Sequence, residues 1–252
     1  MKHDYGRFVW FERVAEEGAQ GAAFYGEVFG WGRQEMTMGD GAAYEMIKHG
    51  DAPVGGYVTP KRPGLPAHWA SYVSVPDVDA AAKKVEAAGG SCLMEAFDAK
   101  GVGRIQPVED AQGAVFLLFH AEDGDVDATT GPGSFHWNEL WAAEASRAVG
   151  FYTEVLGYEV ETMEMPNGRY HVLKNGDTPR AGIMTRPDAQ IPPHWVQYVE
   201  VEDADAAVAR AKTHGGEALG PLIDVDSVGR FGLIRDPAGA TIGVIKPFCE
   251  TK

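Results

Sequence analysis

Cysteine is scarce: two in 252 residues, Cys92 and Cys249, one in each half at positions that do not match. That argues against a disulfide-stapled secreted scaffold and a Cys-x-x-Cys metal knuckle. No apolar run reaches the length of a membrane span. The opening stretch MKHDYGRFVWFER has neither a long apolar core nor a small-residue cleavage site. No signal peptide is therefore expected there, and the protein is expected in the cytoplasm. Positive charge is also in short supply. Lys and Arg number 22 against 37 Asp and Glu, a formal net charge of -15. Such a surface repels phosphate, which excludes nucleic acid and anionic membranes as favoured partners. There is no Walker loop, no GxGxxG after a strand and no GxSxG elbow. What remains is a chain with 44% hydrophobic residues, enough to build real cores.

The strongest positive feature is a duplication. PAHWASYVSVPDVDAAAKKVEAAGG at 66–90 returns as PPHWVQYVEVEDADAAVARAKTHGG at 192–216. Around it, Trp10 and Glu12 match Trp137 and Glu139, and Phe24-Tyr25 matches Phe151-Tyr152. Tyr44 matches Tyr170, Val102-Gly103-Arg104 matches Val228-Gly229-Arg230, and Asp110–Gly113 matches Asp236–Gly239. A repeat this long is a duplicated domain, not a solenoid.

Periodicity gives each half the same elements. Phe8–Arg13 reads as a strand, Ala22–Phe29 as a helix, and Trp31–Met38, Ala43–Lys48 and Val54–Thr59 as strands. After the Pro-rich connector Lys61–Pro66, His68–Val75 reads as a strand. Asp77 caps a helix with the apolar stripe Val78, Ala81, Ala82 and Val85. Cys92–Phe97, Gly103–Val108 and Ala114–His120 follow as strands. Each half is thus two β-α-β-β-β units. The expected boundaries are 1–121 for the first domain, 122–134 for an acidic Gly/Thr-rich linker, and 135–248 for the second.

With FYxEVxG after the first helix, VGR before the third strand and DPxGA before the last, the chain resembles the vicinal oxygen chelate superfamily. That group holds glyoxalase I, bleomycin-resistance proteins and extradiol dioxygenases; the likeness is to tandem two-domain bacterial members. The resemblance implies an α+β fold of two domains, each a cupped, eight-stranded mixed sheet with helices outside. It also implies a small-molecule pocket in each cup and, in metal-dependent members, His, Gln or Glu ligands on the first and last strand of each unit. Carried over, those positions fall on Trp10 and Trp137, on Ala70 and Val196, and on Leu117 and Gly243. None of these side chains coordinates a divalent ion. The usual metal site is therefore expected to be missing, and no metal ligand is assigned.

Alternation along the strands then sets Trp10, Glu12, His68 and Tyr72 in one cup and Trp137, Glu139, His194 and Tyr198 in the other. As catalytic candidates, Glu12, His68, Glu139 and His194 supply acid and base, or two ligands of a displaced metal site. As ligand-binding candidates, Trp10 and Trp137 offer stacking walls, Tyr72 and Tyr198 further lining, and Arg104 and Arg230 a partner for an anionic group. The plainer alternatives stay open. Glu and His can sit wet at the rim, the aromatics can fill core, and the arginines can pair with Asp98 and Asp224. Tyr44 and Tyr170 could offer hydroxyls to a ligand but read first as packing, and Met36, Met38, Met163 and Met165 read as core filling, with an adaptable pocket wall as the alternative.

The expected function is a small-molecule-binding protein of bleomycin-resistance type with no cofactor. The alternative is a metal-dependent glyoxalase-like lyase or dioxygenase with a non-standard Glu/His site, so enzymatic activity and a divalent metal stay open. The expected partner is a small molecule, with a homodimer as a further option.

Overall fold

A computed structural model of the chain describes residues 2–16, 18–39, 41–60, 62–165 and 168–248. Lys61 and Cys249 lie outside them. The first repeat runs β1 (Phe8–Val14), α1 (Gly18–Phe29), β2 (Gly32–Thr37), β3 (Ala43–His49) and β4 (Ala52–Val58). It continues with β5 (His68–Ser74), α2 (Val78–Ala87), β6 (Ser91–Cys92), β7 (Phe97–Ala99), β8 (Gly103–Glu109) and β9 (Val115–Ala121). The second repeats this order as β10 (Phe135–Ala142), α3 (Ala145–Leu156), β11 (Glu159–Met165), β12 (Gly168–Asn175) and β13 (Thr178–Thr185). It ends with β14 (His194–Glu200), α4 (Ala204–Thr213), β15 (Glu217–Ala218), β16 (Ile223–Val225), β17 (Gly229–Arg235) and β18 (Thr241–Pro247).

Each repeat forms one mixed sheet. The first follows the order β2-β3-β4-β1-β5-β9-β8-β6, with β7 also on β8; the second follows β11-β12-β13-β10-β14-β18-β17-β15, with β16 on β17. The expected eight-stranded mixed sheet is there in each repeat as an eight-strand path, with one further short strand, β7 or β16, beside it among the described residues. The segment expected as one strand over Cys92–Phe97 breaks into β6 and β7. Leu93 N–H donates to Pro107 O, and at the matching place Leu219 N–H donates to Leu233 O; after that bond the pairing lapses in both repeats, before β7 and before β16. The first helix also starts at Gly18, four residues ahead of the expected Ala22.

Asp77 and Asp203 cap α2 and α4, their carboxylates accepting from Ala80 N–H at 2.9 Å and Ala206 N–H at 3.0 Å. Such caps contribute about 1 kcal/mol each. The stripe Val78, Ala81, Ala82 and Val85 is buried as its spacing requires. Met36 and Met163 are not core: both lie exposed, on β2 and β11, at the end of each sheet order where little covers a side chain.

Contacts divide the chain into two compact units. One comprises residues up to Trp10, Ala70–Val126 and Trp137–Val196; the other comprises Phe11–Trp69, Asp127–His136 and the chain from Gln197. In the first, α2 packs on α3, and a Cβ on Gly90 would stand 3.0 Å from the Phe151 ring. In the second, α1 packs on α4, and a Cβ on Gly216 would stand 2.7 Å from the Phe24 ring. The second Gly of each closing Gly-Gly pair thus leaves room for a phenyl ring.

Inside each unit one buried chain of hydrogen bonds ties three repeat motifs together. Trp195 Nε1 donates to Tyr152 Oη at 3.1 Å, and Tyr152 donates to Asp110 Oδ2 at 3.1 Å. In the other unit Trp69 Nε1 donates to Tyr25 Oη at 3.0 Å, and Tyr25 donates to Asp236 Oδ2 at 3.1 Å. The other carboxylate oxygen of each Asp accepts the turn amides, Gln112 and Ala114 for Asp110, Ala238 and Ala240 for Asp236. The Trp after each His, the Phe-Tyr of each helix and the Asp of each DPxG-type turn therefore serve the core. Burial, reinforced by the neighbouring carboxylate, pushes both tyrosine hydroxyls well above their usual range.

Candidate functional site

The parallel pairing of β10 with β13 sets Glu139 opposite Gly182, and that of β1 with β4 sets Glu12 opposite Gly56. Both glycines are needed. A Cβ on Gly182 would fall on the Tyr170 hydroxyl, and a Cβ on Gly56 on the Tyr44 hydroxyl. The space they leave brings each tyrosine to the glutamate. Tyr44 Oη donates to Glu12 Oε1 at 2.8 Å. Tyr170 bonds to Glu139 and accepts from Trp137 Nε1 at 2.8 Å. Burial first, then the Glu139 carboxylate, drives the Tyr170 hydroxyl far above its ordinary range, so it stays a donor at any physiological pH. Trp141 Nε1 donates to Glu139 Oε1 at 2.8 Å. Glu139 is 9% exposed, and Trp137, Trp141 and Tyr170 are half-buried. The arrangement fixes a carboxylate between hydrogen-bond donors and beside aromatic surface.

The histidines do not bond to these glutamates. His68 and His194 each donate Nδ1–H to the carbonyl two residues back, Pro66 O and Pro192 O, at 2.8 Å. His68 is exposed; His194 is half-buried, and burial lowers its pKa. Tyr72 and Tyr198 are buried, edge-on to Phe119 and Phe231. Arg104 binds Asp79 through Nε and Nη2 and Asp98 through Nη1. Arg230 binds Asp205 and Asp224 in the same way. Trp10 is half-buried on the same strand face as Glu12.

Three features were missed from sequence. Tyr44 and Tyr170, read as packing, carry the hydroxyls that meet Glu12 and Glu139. Their signal was the repeated pairing of Tyr44 with Gly56 and of Tyr170 with Gly182 at one spacing. Trp141 has no counterpart, since Val14 stands in its place, so the repeat could not point to it.

The positions of the resemblance's metal ligands do not suit a divalent ion. Ala70, Val196 and Leu117 are buried and apolar, and the Tyr198 ring occupies the space a side chain on Gly243 would need. Among the described residues no group of three or more His, Cys, Asp or Glu is placed to hold a metal. Nor, among them, is any helix long and apolar enough to cross a membrane.

Two tandem copies of a β-α-β-β-β pair, each curled into one mixed sheet, define a class that comparison with known proteins makes specific. The model of the Glyoxalase/Bleomycin resistance protein/Dioxygenase superfamily matches residues 7–118 and again 134–244. The chain belongs to that superfamily. It is 36% identical over 247 residues to CFP32 of Mycobacterium tuberculosis, a protein named for a glyoxylase, covering 94% of each chain. It is 32% identical over 257 residues to the anthracycline biosynthesis protein DauV of Streptomyces sp. strain C5, covering 94% of this chain and 92% of that one. Among solved structures, the Mn(II)-bound glyoxalase from Novosphingobium aromaticivorans shares the fold with a TM-score of 0.68 at 18% identity, covering 96% of this chain and 82% of its own. The 2,2',3-trihydroxybiphenyl 1,2-dioxygenase of Sphingomonas wittichii does so with a TM-score of 0.65 at 16% identity, covering 97% and 91%.

Proposed function

We propose that the chain binds a small planar molecule without the metal that serves the metal-dependent members of its superfamily. One observation carries the reading: a carboxylate, Glu139, held by Tyr170 and Trp141 beside the Trp137 indole, in a sheet whose ligand positions are Trp137, Val196 and Gly243. Half-buried indoles stack on planar ligands, and a fixed carboxylate accepts hydrogen bonds from them. No step of this reading passes through a metal ion. The two solved relatives share only the fold, so their chemistry is not carried over. The relative named for anthracycline biosynthesis fits the reading, since anthracyclines are fused-ring planar molecules.

Two measurements test it. Elemental analysis of the purified protein should find no stoichiometric divalent metal; one divalent ion per chain overturns the metal-free part. Intrinsic fluorescence should be quenched saturably by a panel of planar aromatics, and Trp137→Phe should weaken that quenching. Quenching that does not saturate, or that survives Trp137→Phe and Trp141→Phe alike, overturns the binding part.

A further inference from the structure

The two repeats differ beside their glutamates. Trp10–Val14 of β1 aligns with Trp137–Trp141 of β10, so the indole of Trp141 stands where the first repeat has the small apolar side chain of Val14. The Trp141 ring meets the His194 imidazole edge-on, with centroids 5.5 Å apart and planes at 69°. His194 uses Nδ1–H for Pro192 O, which makes Nε2 the lone-pair nitrogen of the neutral ring. Burial favours that neutral form at neutral pH. Nε2 has no hydrogen-bond partner among the described residues. The second repeat thus joins an aromatic wall to an acceptor of fixed tautomer and orientation. In the first repeat His68 makes the same backbone bond but is exposed.

Extending the small-molecule reading, on which this rests, we propose that the ligand is held by the second repeat, against Trp141, and gives a hydrogen bond from its edge to His194 Nε2. A flat wall with one acceptor selects a planar molecule that carries a hydroxyl or a ring N–H. It discriminates against the same molecule once that donor is methylated, because the acceptor is then left facing an apolar group.

Indole and 1-methylindole form a matched pair of probes, each titrated by ligand-observed NMR at neutral pH. Wild-type protein should bind indole about fivefold more tightly than 1-methylindole, the effect of one ordinary hydrogen bond. His194→Asn keeps a donor for Pro192 O but removes the acceptor at the ε position, and should bring the ratio to about 1. His194→Gln places a carbonyl oxygen near that position and should restore part of the preference. His68→Asn should keep the wild-type ratio. A ratio near unity in the wild type, a preference that survives in both His194 variants, or one abolished in His68→Asn overturns the inference. Recovery in His194→Gln separates loss of the acceptor from loss of fold. Saturable quenching by the aromatic panel with indifference to His194 leaves the small-molecule reading standing and removes only this extension. Failure of probes and panel alike removes both.

Discussion

Arg13 Nε lies 2.8 Å from Asp236 Oδ2, and neither side chain is exposed to solvent. This ion pair has no counterpart on Asp110, because the position matching Arg13 is Leu140. Nearby, a Cβ on Gly21 would stand 2.5 Å from Arg13 Nη1, and the position matching Gly21 is Ala148. Where the first repeat sets a guanidinium against glycine, the second has Leu140 and Ala148 at the matching positions, both buried.

These matched positions predict a coupling. Arg13→Leu leaves Asp236 without its buried cation and should cost about 3 kcal/mol in urea denaturation, at the lower end for a broken buried pair because Tyr25 and two turn amides remain. Gly21→Ala should cost about 1–3 kcal/mol in the wild type by overpacking. In the Arg13→Leu background the same change should cost little or nothing, since it then copies the second repeat. A double-mutant cycle with no coupling between these sites would count against this account.

A second prediction concerns the glycines opposite the glutamates. Gly182→Ala places a methyl group where the Tyr170 hydroxyl now sits, so Tyr170 must withdraw from Glu139. The expected result is a loss of about 1–3 kcal/mol in stability and weaker quenching of tryptophan fluorescence by planar ligands. Adding Tyr170→Phe removes the hydroxyl that clashes, and should recover part of the stability but none of the ligand response. Recovery of both would show that the hydroxyl serves packing alone.

Local chemistry was legible in the sequence; relations across the sheet were not. Asp77 and the stripe Val78, Ala81, Ala82 and Val85 declare a capped helix within a few residues of chain, and the helix is there. The break between β6 and β7 falls where pairing with β8 lapses after Leu93 bonds to Pro107, a relation across the ladder and not one between neighbours in sequence. The role of Tyr170 depends on the register that sets Glu139 opposite Gly182. Repetition marked Trp69 and Trp195 as important, yet could not say that each ends a buried chain through a tyrosine to an aspartate supplied by the other repeat. Trp141 leaves no mark in the repeat, because Val14 stands at the matching position.

Asp110 predicts a pH dependence. Burial raises its pKa above the ordinary 3.8, against the lowering effect of the turn amides and Tyr152. A carboxyl whose pKa is higher folded than unfolded favours folding when protonated. Its contribution is full below 3.8 and is lost as pH rises through the raised value. Asp110→Asn removes this titration, so stability measured by urea denaturation between pH 4 and 7 should shift in favour of the variant as pH rises. A difference from wild type that stays constant across that range would contradict the assignment.

His194 predicts the opposite slope. Burial lowers its pKa from 6.5, and its bond to Pro192 O only partly offsets this. A histidine that is harder to protonate when folded stabilises the protein above 6.5, and that contribution is lost as pH falls through the lowered value. The imidazole Cε1–H resonance of His194, assigned by its loss in His194→Gln, should titrate below 6.5. A bound ligand that donates to Nε2 competes with the proton for one lone pair, so saturating indole should move that midpoint lower still. 1-Methylindole, which has nothing to donate, should leave it where it was. A midpoint raised by indole would mean that the ligand accepts from an imidazolium instead, and would reverse the hydrogen bond assigned at this site.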